Sequence, residues 1–278
     1  TLAALLPLLP QAHAWGALGH ETVAYVAQSY LLPATKQFAQ NILNDTSNSY
    51  LANVATWADS YRYTAEGAFS AVLHYIDAND NPPESCDVDF ERDCTEEGCI
   101  VSAIANHTSR VVNKKLPAVE IQKSLKWIIH FLGDIHQPLH DEALEVGGNT
   151  ISVLFNGTTT NLHHIWDSNI PEQYRKGYQL SDAQLWSKAL VKEINTGKWK
   201  WEKLQWLLGI NPKDSIGSAM VWARDTNKHV CDTVLPDGAE VLRGKDLSGD
   251  YASKAVPVIE MQIAKAGFRL AAWLNGIV

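Results

Sequence analysis

The densest run of chemically capable side chains is His130-Phe-Leu-Gly-Asp134-Ile-His136-Gln-Pro-Leu-His140. His130 and Asp134 stand four residues apart, so on a helix they share one face and can converge on a single ion. Pro138 lacks an amide hydrogen and should end that helix, letting His140 reach a neighbouring position. A second pair, His163 and Asp167, repeats the spacing. One His-x-x-x-Asp pair is ordinarily a helix-surface ion pair. Two such pairs in a chain of ten histidines, one preceded by Trp127-Ile-Ile, sit badly with a solvated face. Buried and uncompensated they would be costly, so a metal is the better account. Imidazole with carboxylate is the ligand chemistry of zinc acting as a Lewis acid. His136, two residues from Asp134, faces another way and reads as a structural hydrogen-bonder. His164 reads as structural or supporting, and His107 and His229 as surface residues.

Helices must carry these groups, and most of the chain has helical periodicity. Val119, Ile121, Leu125, Ile128, Ile129, Leu132 and Ile135 recur at spacings of three and four. Ile259, Ile263, Gly267, Leu270 and Leu274 form another stripe, with Pro257 as its expected start. Glu21–Leu32 reads as a first buried helix. The strongest strand signal is Ile151-Ser-Val-Leu-Phe155, then Asn156-Gly157, then Thr158–Leu162, which predicts a hairpin with a primed turn. A Pro-, Cys- and acid-rich loop occupies residues 79–99. With no linker, repeat or low-complexity tract, the expectation is one mainly α domain with a single small hairpin.

The formal net charge of −8 disfavours a protein that grips duplex DNA by neutralising phosphates. It does not disfavour an enzyme that meets phosphate through bound cations. Residues 1–10 are apolar and too short to span a bilayer, and they lead into Ala12-His13-Ala14, which has the form of a signal-peptidase site. They are expected to be a signal-peptide remnant, removed to leave a chain of 15–278, and export is expected with it. Cysteines at 86, 94, 99 and 231 then suggest two disulfides, for which three pairings are open. Sequons at Asn44, Asn106 and Asn156 suit an exported glycoprotein.

Five further segments identify a resemblance. Trp15-Gly-Ala-Leu-Gly-His20-Glu-Thr-Val-Ala-Tyr-Val-Ala-Gln, Asn53-Val-Ala-Thr-Trp-Ala-Asp59, His74-Tyr-Ile-Asp77, Gly133-Asp-Ile-His-Gln-Pro-Leu-His140 and Asn161-Leu-His-His-Ile-Trp-Asp167 occur in order. So do Asp246-Leu-Ser-Gly and Ala264-Lys-Ala-Gly-Phe-Arg-Leu-Ala-Ala-Trp-Leu. The chain resembles the fungal zinc-dependent, single-strand-specific nucleases of the S-one and P-one type. The stretch from about 172 to 212, with Lys198-Trp-Lys-Trp201, is the part not matched by these motifs.

The resemblance implies a largely helical phospholipase C/nuclease fold with three zinc ions in one cleft. Asp59, His74, His130 and Asp134 would bind the first ion, and His140, His163 and Asp167 the second. The α-amino nitrogen and carbonyl oxygen of Trp15 would join His20 and a bridging Asp134 at the third. Asp59, Asp134 and Arg62 are the residues implicated in catalysis, Arg62 as a clamp for phosphate charge. Tyr75 would stack on a base, Asp77 would bond its edge, and Val146 and Asn169 are further substrate contacts. The resemblance also implies the pairs Cys94–Cys99 and Cys86–Cys231. The expected substrates are single-stranded DNA and RNA and 3′-nucleotides, handled by a monomer with no membrane and no obligate protein partner. The competing readings are a zinc phospholipase C and a non-enzymatic zinc-binding glycoprotein. Relatives of the former have glutamate where Asp167 stands.

Overall fold

The structure, a computed structural model, describes residues 15–278. The expected signal segment 1–14 lies outside the described residues. The first helix, α1 (Ala17–Gln28), buries every residue from Leu18 to Ala27 except Glu21. A helix apolar on nearly all sides belongs inside a protein, and α1 is the axis of this one. It begins before the expected Glu21 because the amides of Gly19 and His20 bond back to Gly16 O, which draws His20 into its first turn. Around it run α2 (Pro33–Leu43), α3 (Trp57–Tyr61), α4 (Phe90–Asp93), α5 (Ile100–Val111) and α6 (Ala118–Asp134). The second half adds α7 (Leu162–His164), α8 (Ile170–Arg175), α9 (Leu180–Asn195), α10 (Ser215–His229) and α11 (Asp250–Ile277). α1 packs on α11 and α9, and α5 on α6 and α10. Among the described residues, no helix is long and apolar enough to cross a membrane.

The hairpin pairs β1 (Ser152–Phe155) with β2 (Thr158–Asn161), antiparallel, Ser152 opposite Asn161. Asn156 and Gly157 take φ of 50° and 75°, the left-handed pair that a primed two-residue turn requires. The Asp246 carboxylate accepts both their amides, at 3.2 and 2.8 Å. The disulfides are Cys86–Cys231 and Cys94–Cys99. The sequon residues Asn44, Asn106 and Asn156 are exposed.

Two expectations need correction. α11 starts at Asp250, and Pro257 lies inside it. Proline removes the amide that would bond Ser253 O, but both residues are exposed, so water can take the freed carbonyl. His107 and His229 are buried, at 7% and 8% exposure, where surface positions were expected. His107 stacks on Trp127 with ring centroids 5.6 Å apart, and its Nδ1 lies 3.3 Å from Ser124 Oγ. The signal was present, since Ile100, Ala103, Ile104, His107 and Val111 follow the helical period of the buried face.

That burial makes a pH prediction. Burial, with the nearby Arg110 charge, pushes His107 down to about 3 from 6.5. A depressed histidine is neutral in the fold while the unfolded chain takes up its proton. Its contribution therefore erodes stability as pH falls from about 6.5 towards 3. His107→Gln, which can keep the Ser124 bond, should recover about 2 kcal/mol of the stability lost between pH 7 and pH 5. Urea unfolding of both proteins at the two pH values measures this; equal losses would refute the assignment.

Candidate metal centre and its cavity

Four segments converge where α6 ends. α1 brings His20, α3 brings Asp59, a 3-10 segment (Ala68–His74) brings His74, and α6 brings His130 and Asp134. All five are buried, with Asp134, His74 and His130 at 0% exposure. Asp134 Oδ2 lies 2.9 Å from His74 Nδ1 and 3.2 Å from His130 Nε2, while its Oδ1 lies 3.1 Å from His20 Nε2. His130 Nε2 is 3.2 Å from His74 Nδ1 and 3.5 Å from Asp59 Oδ1. Close by, α6 stops, Gln137 caps a 3-10 turn (Pro138–Asp141), and that turn presents His140. Pro138 thus separates the two ligand segments as its chemistry requires. His163 on α7 and Asp167 on a following π-helical turn (Ile165–Asn169) complete a second group. His163 Nε2 lies 3.1 Å from His140 Nε2 and 3.2 Å from Asp167 Oδ2.

These separations have a common explanation. Four ligands at about 2.0–2.2 Å from a tetrahedral zinc are roughly 3.3 Å from one another. The observed spacings cluster about that edge. His20 Nε2, Asp134 Oδ1 and Asp167 Oδ2 are buried and make no hydrogen bond, despite the close approach of His20 to Asp134. Buried polar atoms left thus are expensive unless a cation completes them. The histidine tautomers agree. Nδ1 of His130 donates to Ala55 O (2.7 Å), that of His140 to His74 O (2.8 Å), and that of His163 to Gly147 O (2.6 Å). Each therefore turns an Nε2 lone pair inwards, the arrangement a metal ligand needs.

Electrostatics point the same way. Burial disfavours charge on His130, but Asp134 and Asp59 outweigh it and lift the imidazole to about 10. Burial would raise Asp134, yet His130, then His20 and His74, hold it well below the usual carboxylate range. The pull on His130 is the pull these carboxylates would exert on any cation. Elsewhere, burial with the neighbouring His163 lowers His140 to about 4. Sequence reasoning passed over two carboxyls just beyond it. Burial raises Asp141 well above the usual range and Glu142 to about 8, so both favour their neutral forms.

Backbone geometry holds this arrangement tightly. A side chain on Gly133 would place its Cβ 2.6 Å from His20 Nδ1, so only glycine lets α1 and α6 meet here. Glu145, Val146, Gly147 and Gly148 all take positive φ. For β-branched Val146 that is a strained conformation, and it lies on the loop whose Gly147 carbonyl orients His163.

A cavity of about 310 Å³ opens on the second group. His140 and His163 line it together with Arg62, Tyr75, Asp77 and Val146. Burial, then the Asp93 charge, raises Asp77 to about 6. Arg62 donates to Tyr63 Oη at 3.0 Å. The structure does not bring Asn169 to this cavity. It lines a separate depression of about 560 Å³ along the hairpin with Phe155, His164 and Gln173. Trp15 is wholly buried, and the next amide, Gly16 N, donates to Asp167 O at 2.8 Å, which ties the segment before α1 to the second group.

A sequence model described as S1/P1 Nuclease matches residues 15–278. The chain belongs to the S1/P1 nuclease family. It is 53% identical over 273 residues to Nuclease S1 of Aspergillus oryzae, covering 98% of this chain and 95% of that protein. It is 49% identical over 263 residues to Nuclease P1 of Penicillium citrinum, covering 95% and 97%. Endonuclease 2 of Arabidopsis thaliana is 32% identical over 284 residues, covering 98% and 93%. Membership decides for a nuclease over the phospholipase and non-enzymatic readings. The His/Asp groups described above suit a zinc enzyme.

His136 behaves as its position implied. Its Nδ1 donates to Leu132 O at 2.8 Å, and its Nε2 accepts from Arg269 Nη1 at 3.0 Å. Burial, reinforced by the Arg269 charge, keeps it neutral, well below its ordinary value. Gln137 is the supporting residue that sequence reasoning missed. Its Nε2 donates to Asp167 Oδ1 at 2.6 Å, and its Oε1 accepts from Leu139 N at 2.7 Å. One amide thus aims a carboxylate and caps the turn that bears His140. Gln137→Ala should weaken zinc binding at the His140–His163–Asp167 group by about 10- to 100-fold, the usual cost of losing such a support. Competition with a chromophoric chelator reads this directly. Unchanged affinity would remove Gln137 from the centre.

Proposed function

We propose that this nuclease is an exported three-zinc hydrolase. It cuts phosphodiester bonds of single-stranded DNA and RNA to leave 5′-phosphates, and removes phosphate from 3′-nucleotides. One observation carries the reading: His140 and His163 belong both to a group able to hold a metal ion and to the lining of the cavity that also bears Tyr75 and Asp77. Hydrolytic chemistry and base recognition then share one opening.

In this reading Asp59, His74, His130 and Asp134 hold one zinc, and His140, His163 and Asp167 a second. His20, Asp134 and the amino terminus of Trp15 hold the third. When bound, the ions supply Lewis acidity and lower the pKa of water enough for attack near neutrality. The protein's own groups do the rest. Arg62 sits at the cavity wall, where its guanidinium can clamp phosphate oxygens. Tyr75 offers a ring for stacking, and the Asp77 carboxylate can accept from a base edge. A base must leave its stack to enter, at a cost of a few kcal/mol from a duplex that a single strand largely avoids. The enzyme acts as a monomer and needs neither membrane nor protein partner.

Denatured DNA, duplex DNA and a phosphatidylcholine emulsion, each with and without chelator, test the activity. Chelator-sensitive cleavage of denatured DNA is expected first. Hydrolysis of the emulsion instead would overturn the reading. Tyr75→Ala and Asp77→Ala should each raise KM on single-stranded DNA about tenfold at unchanged zinc content, from lost stacking or a lost hydrogen bond. Unchanged kinetics would place the base elsewhere.

Removal of residues 1–14 also matters in this proposal. Before it, the Trp15 nitrogen belongs to a planar amide with a delocalised lone pair and is a poor ligand. After it, amine and carbonyl oxygen can chelate together. A Gly-Ser extension ahead of Trp15 should therefore lower zinc content and turnover together. Three tightly held ions and full turnover in the extended protein would exclude the amino terminus as a ligand.

A further inference from the structure

The loop joining α9 to α10 is pinned by two of its tryptophans and exposes the third. Trp199 and Trp206 are 5% exposed and meet edge to face at 5.7 Å, and Trp206 packs on Phe268 of α11. Arg269 Nε donates to Trp206 O at 2.8 Å. Between these anchors Trp201 stands 81% exposed, followed by Leu204 and Leu208 at 69% each. One exposed apolar side chain is ordinary, but three large ones within eight residues are more than a solvated loop usually carries.

Its charge restricts the partner. The loop carries Lys198, Lys200, Lys203 and Lys213 against Glu202 and Asp214, and although Lys198 pairs with Glu260 at 3.0 Å, Lys200 and Lys203 flank Trp201 in a chain of net charge −8. Lys200 Nζ lies 4.5 Å from the centroid of the Trp201 ring. Local positive charge beside an accessible indole fits a ligand that offers both phosphates and flat rings. Lysines neutralise a strand's phosphates while the indole stacks on a base, and that combination tolerates any sequence.

We propose that the Trp201 loop is an accessory contact for single-stranded nucleic acid, holding the polymer outside the catalytic cavity. The proposal rests on the reading of the enzyme as a single-strand nuclease and adds a second point of attachment. Short substrates that fill only the cavity would not feel it, whereas long ones would gain by being tethered.

The test compares the zinc-loaded enzyme with Trp201→Ala and with Lys200→Ala/Lys203→Ala on a dinucleotide and on a 60-nucleotide single strand. Trp201→Ala should raise KM for the long strand about tenfold, the usual scale for one stacked base, with kcat unchanged. The dinucleotide should be processed as before. The lysine variant should flatten the dependence of log KM on log salt by about 0.7 for each phosphate no longer neutralised. Trp201→Phe should restore most of the long-strand KM. Equal kinetics of all variants on the long strand would overturn the proposal, as would equal losses on both substrates. Loss of binding to anionic phospholipid vesicles at unchanged long-strand KM would also overturn it, assigning the patch to a membrane surface. Failure of the wild-type enzyme on either substrate would instead strike the underlying nuclease reading.

Discussion

The centre depends on one carboxylate. Asp134 is wholly buried at the end of α6 and faces His20 with one oxygen and His74 and His130 with the other. A charge so placed is tolerable only if opposite charge and hydrogen bonds surround it. That constraint orders much of the fold. α1 must be apolar enough to run through the middle while delivering His20, α6 must end in Gly133-Asp134, and the 3-10 segment before His74 must close over them. The π-helical turn that bears Asp167 is a local irregularity of the kind that often accompanies function.

The same logic reconciles an acidic protein with a polyanionic substrate. In the proposed reading, cations bound where three carboxylates and five imidazoles converge would supply the positive charge, so the surface need not be basic. Backbone carbonyls of Ala55, His74 and Gly147 fix the ring orientations, and they come from different parts of the chain. The fold thus fixes the orientation of these rings through its backbone, with a strained run from Glu145 to Gly148 beside them.

What the sequence disclosed was local. The His130–Asp134 spacing, the Asn156-Gly157 turn and the α6 stripe each arise within a few residues and were legible directly. His20, Asp59 and His74 carry no such spacing, and only the family resemblance pointed to them. Gln137 escaped notice because its role is to touch a residue thirty positions away. His107 was misplaced because a histidine is polar by type, although its helical register put it with Ile104 and Val111. Pro257 misled because a helix can carry a proline where the carbonyl it frees, here that of Ser253, is exposed to water. Asn169, taken from resemblance alone, faces another depression.

The cysteine-rich loop has a consequence for where the enzyme can work. The Tyr75 carbonyl accepts the amide of Ile100, the residue after Cys99, and the Asn79 amide donates to Asp93, the residue before Cys94. The wall bearing Tyr75 and Asp77 thus leans on a segment clasped by Cys94–Cys99 and anchored to α10's far end by Cys86–Cys231. None of these sulfurs belongs to the His/Asp groups. In a thiol-reducing compartment the clasps would open while the ligand side chains stayed intact. In the proposed reading, such a molecule would lose support for the wall bearing Tyr75 and Asp77 while its His/Asp groups stayed in place, so the disulfides bear on substrate recognition more than on hydrolytic capacity.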